Sequence, residues 1–163
     1  MTPVRLIGAA IIFLCAMATV REYGTYCRKR IAQSAAFLAF VRHVGERVCV
    51  YLMPIGSAAL EFEDTELSAV GFLGAVRSGG TVYSAFTLAR DKLLFSDEQK
   101  AYLSSLFKEL GCAYIEDERV RVEKATDTLS RLHAEEERKA MESEKVVRTL
   151  ILALALGIIV LIL

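Results

Sequence analysis

Few side chains in this chain have both the type and the spacing that chemistry requires. The two histidines, His43 and His133, have no neighbouring nucleophile or ligand in the sequence. Cys27, His43 and Cys49 are possible zinc ligands by type, but they lack the closely spaced ligand pair of a zinc site. We therefore expect structural roles for these residues and no metal.

Two further motifs could indicate chemistry, and each has a simpler reading. The glycine-rich stretch 78–80 is not followed by Lys-Ser or Lys-Thr, so it does not match a phosphate-binding loop. The three glutamates at 135–137 could serve metal binding or proton transfer, but such a run usually forms a solvated helix face. No nucleophile and base stand at a meaningful spacing. The sequence therefore predicts a protein that is not an enzyme, with no cofactor and no small-molecule substrate.

The overall charge gives no support for nucleic-acid binding. The chain has 20 Lys and Arg against 20 Asp and Glu, so it has no net basic character. The basic run Arg28-Lys29-Arg30 could contact nucleic acid, but it lies beside a strongly apolar segment. A topology determinant that also attracts anionic lipid is the simpler interpretation of that run.

The apolar residues are concentrated at the two ends of the chain. The segments 4–20 and 149–163 are almost free of charge, with Arg5 as the exception. As helices with a rise of ~1.5 Å per residue they would each span roughly 23–27 Å, close to the hydrocarbon thickness of a bilayer. We expect two transmembrane helices, within 1–22 and 149–163, that enclose a domain over 23–148.

The cations near these segments predict the orientation. They lie on the inner side of each segment: Arg21, Arg28, Lys29 and Arg30 after the first, and Lys139, Lys145 and Arg148 before the second. The positive-inside rule then places the central domain in the cytoplasm, with both ends crossing outward. The odd number of cysteines in that domain also fits a reducing compartment.

Three alternatives remain open at this stage. Ala16-Met17-Ala18 fits a signal-peptidase site, which would make the protein an extracytoplasmic binding module with a cleaved leader and a C-terminal anchor. The final apolar run could instead be a buried core helix. A third alternative is a two-helix membrane sensor or chaperone that dimerises through the charged segment 113–148.

The periodicity of the central region predicts an all-α bundle of about five to six helices. Apolar residues spaced by three and four predict a helix over 29–50, continuous with the first membrane helix: Ile31, Ala35, Leu38, Val41, Val44 and Val48. We interpret 48–52 as a buried helical turn. Pro54 then favours a new helix over 55–62.

The next helices are predicted from their caps and stops. Asp64 or Thr65 can cap a helix with an apolar face of Leu67, Val70, Phe72, Leu73 and Val76, which ends at 78–80. Thr81 can cap the next helix, and Ser96 with Gln99 forms a capping box for another that ends at Gly111. The last helix, from about residue 113, is expected to face water at 135–137 and to continue into the membrane.

The order of these elements resembles the stage III sporulation protein AB family. Four features carry the resemblance: Tyr51-Leu52-Met53-Pro54-Ile55, the stretch 66–73 with Gly71, Phe72 and Leu73, the Gly79-Gly80 turn, and Gly111 after a helix opened by Ser96. The family in turn resembles the inner-membrane platform protein of type II secretion and type IV pilus systems. The resemblance extends over essentially the whole chain.

The resemblance implies a part of a sporulation channel apparatus in the mother-cell membrane around the forespore. The expected partners are a hexameric secretion-type ATPase, the stage III sporulation protein AA, and other stage III channel proteins. The protein would act as a platform that couples this ATPase to the membrane assembly. For the contact surface we expect exposed polar residues at helix ends of the bundle: Arg77, Arg90, Asp91 and Lys92.

Overall fold

The chain folds entirely as helices within the residues that the structure describes. The computed structural model describes the backbone of residues 3–112 and 114–162 and the side chains of 7–112 and 114–160. In these ranges there are seven α-helices, a 3-10 helix at Arg90–Lys92 and no strand. The helices are α1 Pro3–Cys49, α2 Ile55–Leu60, α3 Thr65–Ala69, α4 Phe72–Arg77, α5 Val82–Ala89, α6 Asp97–Glu109 and α7 Ile115–Ile162. The all-α prediction is confirmed.

The first helix is continuous, as the sequence predicts. α1 runs for 47 residues from Pro3 to Cys49, and Gly24 does not interrupt it. The prediction of a buried helical turn over 48–52 is wrong. Val50, Tyr51 and Leu52 are all more than half exposed, and Leu52 has a positive φ of 54°. These residues fall past the last turn of α1, where the chain reverses, and their β-leaning composition does not decide their burial.

Side-chain caps begin three of the shorter helices at the predicted residues. Asp64 accepts a hydrogen bond from the Leu67 amide at 2.9 Å, and Thr81 accepts one from the Ser84 amide at 3.1 Å. Ser96 accepts one from the Gln99 amide at 3.4 Å. The predicted return bond of a capping box is not formed, because Gln99 is 4% exposed and its Oε1 has no partner among the described residues.

Gly71 divides a segment that we expected to be one helix. Its φ is 87°, in the left-handed region that favours glycine, and it separates α3 from α4. The residues before and after it, Val70 and Phe72, are both buried. The break therefore lets both residues face the interior, whereas in an uninterrupted helix positions two apart would lie about 200° apart around the axis.

The chain divides into two compact units. The first, which we call the helical body, is Arg30–Glu135. The second, the terminal unit, combines the chain up to Lys29 with the chain from Glu136 onward. α1 and α7 each contribute to both units. The predicted boundaries after residues 22 and 148 stay predictions.

Aromatic rings fill the interior of the helical body. Phe37 and Phe40 from α1 meet Phe72, Phe86 and Phe107, with ring centroids between 5.0 and 6.2 Å apart. Sequence periodicity found Phe72 but missed the two α1 rings. The buried face of α1 includes the predicted Leu38, Val41 and Val44 and extends beyond them to the two rings, whereas Ala35 is exposed.

α1 and α7 approach closely inside the helical body at a glycine that the sequence analysis overlooked. Gly45 is buried, and a Cβ placed there would collide with Cγ1 of Val122. On α7, Ala125 and Leu129 are buried, whereas Ile115 is half exposed. Gly45 therefore sets how near these two helices can lie.

The terminal unit pairs small residues and exposes large ones. Ala16, Gly24, Cys27, Ala140 and Ala155 are buried in it. A Cβ at Gly24 would lie 3.1 Å from Oε1 of Glu144, which shows how closely the two helices pack. Glu136 is 7% exposed, so the prediction that 135–137 all face water is wrong at this position. The sequence of this helix alone could not predict the burial of Glu136, because burial here depends on which side of the helix packs against its neighbour.

One helix in the described part of the chain is long and apolar enough to cross a membrane. This is α1 from Ile7 onward, near the N-terminus, where only 11% of the most apolar stretch is buried. α7 carries the predicted C-terminal membrane segment, 149–163, in helical form as far as Ile162. That segment stays a prediction as a membrane span.

Candidate functional site

We call the residues that carry the family resemblance the family-pattern residues. Several of them come together at one apolar groove of the helical body. Pro54, Gly79, Gly80 and Gly111 all line it, and its volume is about 790 Å³. This volume lies in the range of known binding sites, roughly 300–1,000 Å³. The apolar walls come from α1, α2, α5, α6, α7 and the turn before α2, and include Val48, Met53, Ile55, Val82, Leu110 and Ile115. The groove is partly open to solvent.

The turn between α1 and α2 forms one end of the groove. The amide of Met53 donates to the Arg47 carbonyl at 3.1 Å, which closes the turn. Pro54 then precedes the first residue of α2 in an extended conformation. Tyr51 does not line the groove. Its ring is 58% exposed and lies 5.1 Å from the Arg47 guanidinium, an arrangement that a cation–π contact stabilises.

The Gly79-Gly80 turn forms a second side, and each glycine is needed for a different reason. Gly79 has a φ of 92°, which favours a residue without Cβ. At Gly80 space is the constraint, because a Cβ would lie 2.8 Å from the backbone oxygen of Ala75. The amide of Gly80 donates to that same oxygen at 3.1 Å. The turn therefore holds the start of α5 against the end of α4.

A buried carboxylate holds the third side, where α6 gives way to α7. Gly111 has a φ of 81°, and a Cβ there would collide with Cδ1 of Ile55. Its amide donates to Oε1 of Glu118 at 2.9 Å. Arg121 donates to Oε2 of the same carboxylate at 2.9 Å and to the Glu109 carbonyl at 2.8 Å. Glu118 is 2% exposed, and these charge-assisted bonds compensate its burial.

Sequence reasoning missed Glu118 because it stands among exposed charged residues at the start of α7. The available indication was its position seven residues after Gly111, where a carboxylate can reach back to a glycine turn. Cys49 lies near this carboxylate. Burial raises the pKa of the Cys49 thiol above its ordinary value, and Glu118 adds to the rise, whereas Arg119 opposes it.

Lys108 is the charged residue at the groove that is available to a partner. Its side chain is exposed on α6 and, among the described residues, its ammonium has no ion pair or hydrogen bond. Glu118 also lines the groove, but both of its oxygens are already engaged. Two apolar side chains reach out of the groove into solvent, Tyr83 at 39% and Ile115 at 50% exposure.

Three further family-pattern residues, at 71–73, lie away from the groove, and Phe72 and Leu73 among them lie in the interior. Phe72 and Leu73 are at most 1% exposed and belong to the core. Gly71 supplies the left-handed turn that precedes them. These three residues have a structural role: they shape α4, which the Gly79-Gly80 turn follows.

The predicted partner-contact residues do not line the groove. Arg77 is exposed and pairs with Glu63 at 3.4 Å. Arg90, Asp91 and Lys92 form the exposed 3-10 helix after α5. These four residues are accessible, and their role in partner contact stays a prediction.

The other sequence candidates for chemistry remain separate from one another. Among the described residues no group of three or more His, Cys, Asp or Glu could hold a metal ion. All four cysteines are free. His43 packs against the Phe62 ring at a centroid distance of 5.4 Å, a core contact of the structural kind that we expected.

Comparison with known families gives one clear match. The sequence profile of stage III sporulation protein AB matches residues 5–163. The chain belongs to the stage III sporulation protein AB family. Membership implies a role in stage III of sporulation, and it confirms the resemblance drawn from Tyr51, Pro54 and the glycine turns. No curated protein and no solved structure gave a match to the chain.

Proposed function

We propose that this protein is a non-enzymatic membrane platform of the stage III sporulation channel apparatus. It couples a hexameric ATPase, the stage III sporulation protein AA, to other channel proteins of the membrane assembly. The observation that carries the proposal is the open apolar groove of the helical body, whose turns are made by family-pattern residues. An exposed apolar surface of this kind, rimmed by polar groups, is typical of a protein-interaction site.

The proposed mechanism uses helices that are shared by the two units. α1 and α7 each run from the terminal unit into the helical body without a break. In the proposal, the helical body binds the ATPase, and these two helices join the body to the membrane-spanning segments. The aromatic interior supports this role, because a closely packed core transmits strain instead of absorbing it.

We further propose that both terminal segments cross the mother-cell membrane around the forespore and that the helical body faces the mother-cell cytoplasm. The cations that follow the first apolar segment and precede the second support this orientation. The buried Ala16 supports retention of the N-terminal helix, because cleavage after Ala18 would remove a residue that packs in the terminal unit.

The side of the membrane can be tested with a native cysteine. Cys112 is exposed in the turn between α6 and α7. A membrane-impermeant maleimide should label Cys112 in inside-out vesicles and leave it unlabelled in intact protoplasts, as measured by mass spectrometry of its peptide. Labelling in intact protoplasts would instead support the extracytoplasmic binding module with a cleaved leader.

The coupling itself requires a direct contact with the ATPase. The full-length chain in nanodiscs should retain purified stage III sporulation protein AA, while empty nanodiscs should not. Failure of the two proteins to associate would refute the ATPase part of the proposal. Failure of the chain to hydrolyse ATP on its own would remain consistent with it.

A further inference from the structure

We propose that the groove of the helical body is the docking site for one amphipathic segment of a partner protein, apolar on one face and with a carboxylate at its edge that pairs with Lys108. This inference rests on the proposed function, since it names the surface and the chemistry through which the platform meets its partner. In this inference the groove is the principal contact with the partner, in place of the exposed helix ends at Arg77 and Arg90–Lys92.

The shape of the groove favours a protein segment over a small molecule. Small-molecule sites generally enclose 70–90% of the surface of their ligand. Here the groove is only partly enclosed, and its lining includes the half-exposed side chains of Tyr83 and Ile115. Apolar side chains on one face of a helix or an extended peptide can fill such a groove while the opposite face stays in water.

The charges at the groove favour an acidic segment. Among the described residues, Lys108 is the residue lining the groove whose charge has no partner. The acidic lining residue, Glu118, already accepts hydrogen bonds from the Gly111 amide and from Arg121, so it offers no site to a cation. Asp117 does not oppose the assignment, because it lies in a separate depression with Lys124 and Arg121.

The turns around the groove favour a preformed site. The Gly80 backbone is fixed against Ala75, and the Gly111 backbone is fixed by Glu118. A site whose walls are held by hydrogen bonds loses little freedom on binding, so more of the contact energy appears as affinity.

The first test is photo-crosslinking from the intact chain in sporulating cells. The photoreactive residue p-benzoylphenylalanine replaces Tyr83, in the groove wall, or Leu88, which is on the same helix and 73% exposed but does not line the groove. We expect a crosslink from position 83 and none from position 88. Mass spectrometry should identify a peptide of another protein that carries Asp or Glu beside apolar residues.

The second test reverses the charge at the rim. Lys108→Glu should lower the crosslink yield from position 83 by roughly three- to ten-fold, because an attractive ion pair becomes a repulsive one. Lys100→Glu, on the same helix and away from the groove, is the matched control and should leave the yield within about two-fold. Changing the acidic residue of the crosslinked peptide to Lys should restore the yield with Lys108→Glu.

Several results would overturn the inference. These are equal crosslinking from positions 83 and 88, no crosslink at either, a peptide from a second copy of this chain, a lipid adduct, or equal effects of the two lysine substitutions. Circular dichroism of each variant checks that the fold is intact, which we expect because Lys108 is exposed and Lys100 half-buried.

The inference and the proposed function can fail separately. If the crosslink from position 83 does not depend on Lys108 while nanodiscs that carry the chain still retain the ATPase, the groove assignment is wrong and the platform role stands. If the crosslink depends on Lys108 but the nanodiscs do not retain the ATPase, the groove assignment stands and the proposed coupling to the ATPase is wrong.

Discussion

The helical body and the terminal unit use apolar side chains in opposite ways. In the helical body the largest apolar residues are buried, and Phe37, Phe40 and Phe72 are at most 1% exposed. In the terminal unit the large side chains face outward: Leu14 is 67% and Val160 is 74% exposed. Apart from Glu136, the buried positions there are occupied by alanine, glycine and cysteine among the described residues.

This difference is the one expected if the terminal unit lies in lipid, as the sequence predicts, and the helical body lies in water. In water, burial of large apolar groups is the main driving force, at about 25 cal/mol per Å². Within a bilayer that driving force between helices disappears, and close approach of small residues takes its place. The residue types at the buried positions of the terminal unit therefore agree with the predicted membrane segments.

The largest expected effect is in the core of the helical body. Phe40→Ala removes a ring that contacts Phe62, Phe72 and Phe107, and it should lower the free energy of unfolding by about 3–5 kcal/mol. Leu88→Ala, at an exposed position, should change it by less than about 0.5 kcal/mol. Urea unfolding of the full chain in detergent, followed by circular dichroism, measures both. Equal losses would mean that the aromatic cluster is not the core.

In the terminal unit, a new charge should oppose membrane insertion most strongly at an exposed position, because an exposed side chain there would face lipid. Leu14→Arg puts a cation near the middle of the N-terminal apolar segment, at a cost of roughly 2.5–3.5 kcal/mol for membrane insertion. Because the C-terminal segment can still anchor the chain, the measurement is the side of the membrane on which an N-terminal tag lies, determined by protease protection. The tag should fail to cross in Leu14→Arg and should cross in Leu14→Val. Crossing in both variants would remove the distinction between the two units at this helix.

Glycine substitutions compare how tightly the two units are packed. Gly45→Ala would push a methyl group into Val122 and should destabilise the helical body by about 1–3 kcal/mol. Val122→Ala in the same chain should recover most of this loss, because the collision disappears. Gly8→Ala and Gly157→Ala meet no atom within 4 Å, so each should be neutral or stabilising by up to about 1 kcal/mol. Thermal unfolding of the four variants provides the measurement, and a missing rescue would argue against the contact.

The smallest expected effect concerns the buried charge of the helical body. Glu118→Gln keeps an acceptor for the Gly111 amide but removes the negative charge that helps to raise the pKa of the Cys49 thiol. The pKa should fall, so that the thiolate forms at lower pH. Alkylation of Cys49 against pH, quantified from its peptide, measures the midpoint. Glu123→Gln, at an exposed position on the same helix, is the control and should not move it.

Local chemistry in the sequence determined where most helices begin and end. Asp64, Thr81 and Ser96 cap helices because a short oxygen-bearing side chain can reach an amide three residues later. Gly111 follows the end of α6 and adopts a positive φ that costs glycine little. The continuity of α1 and the apolar character of its N-terminal part also follow from sequence, since both depend on residues close together in the chain.

Only the tertiary structure decided which side chains are buried and what they form. Phe37 and Phe40 were missed because several faces of α1 are apolar, and the packing of α4, α5 and α6 selects one of them. The burial of Glu118 and Gln99 depends on partners from other elements, which no local pattern reveals. The groove likewise needs Pro54, Gly80 and Gly111 to meet across long separations in sequence. Capping is a contact between near neighbours, whereas burial and grooves result from chain segments whose proximity exists only after folding.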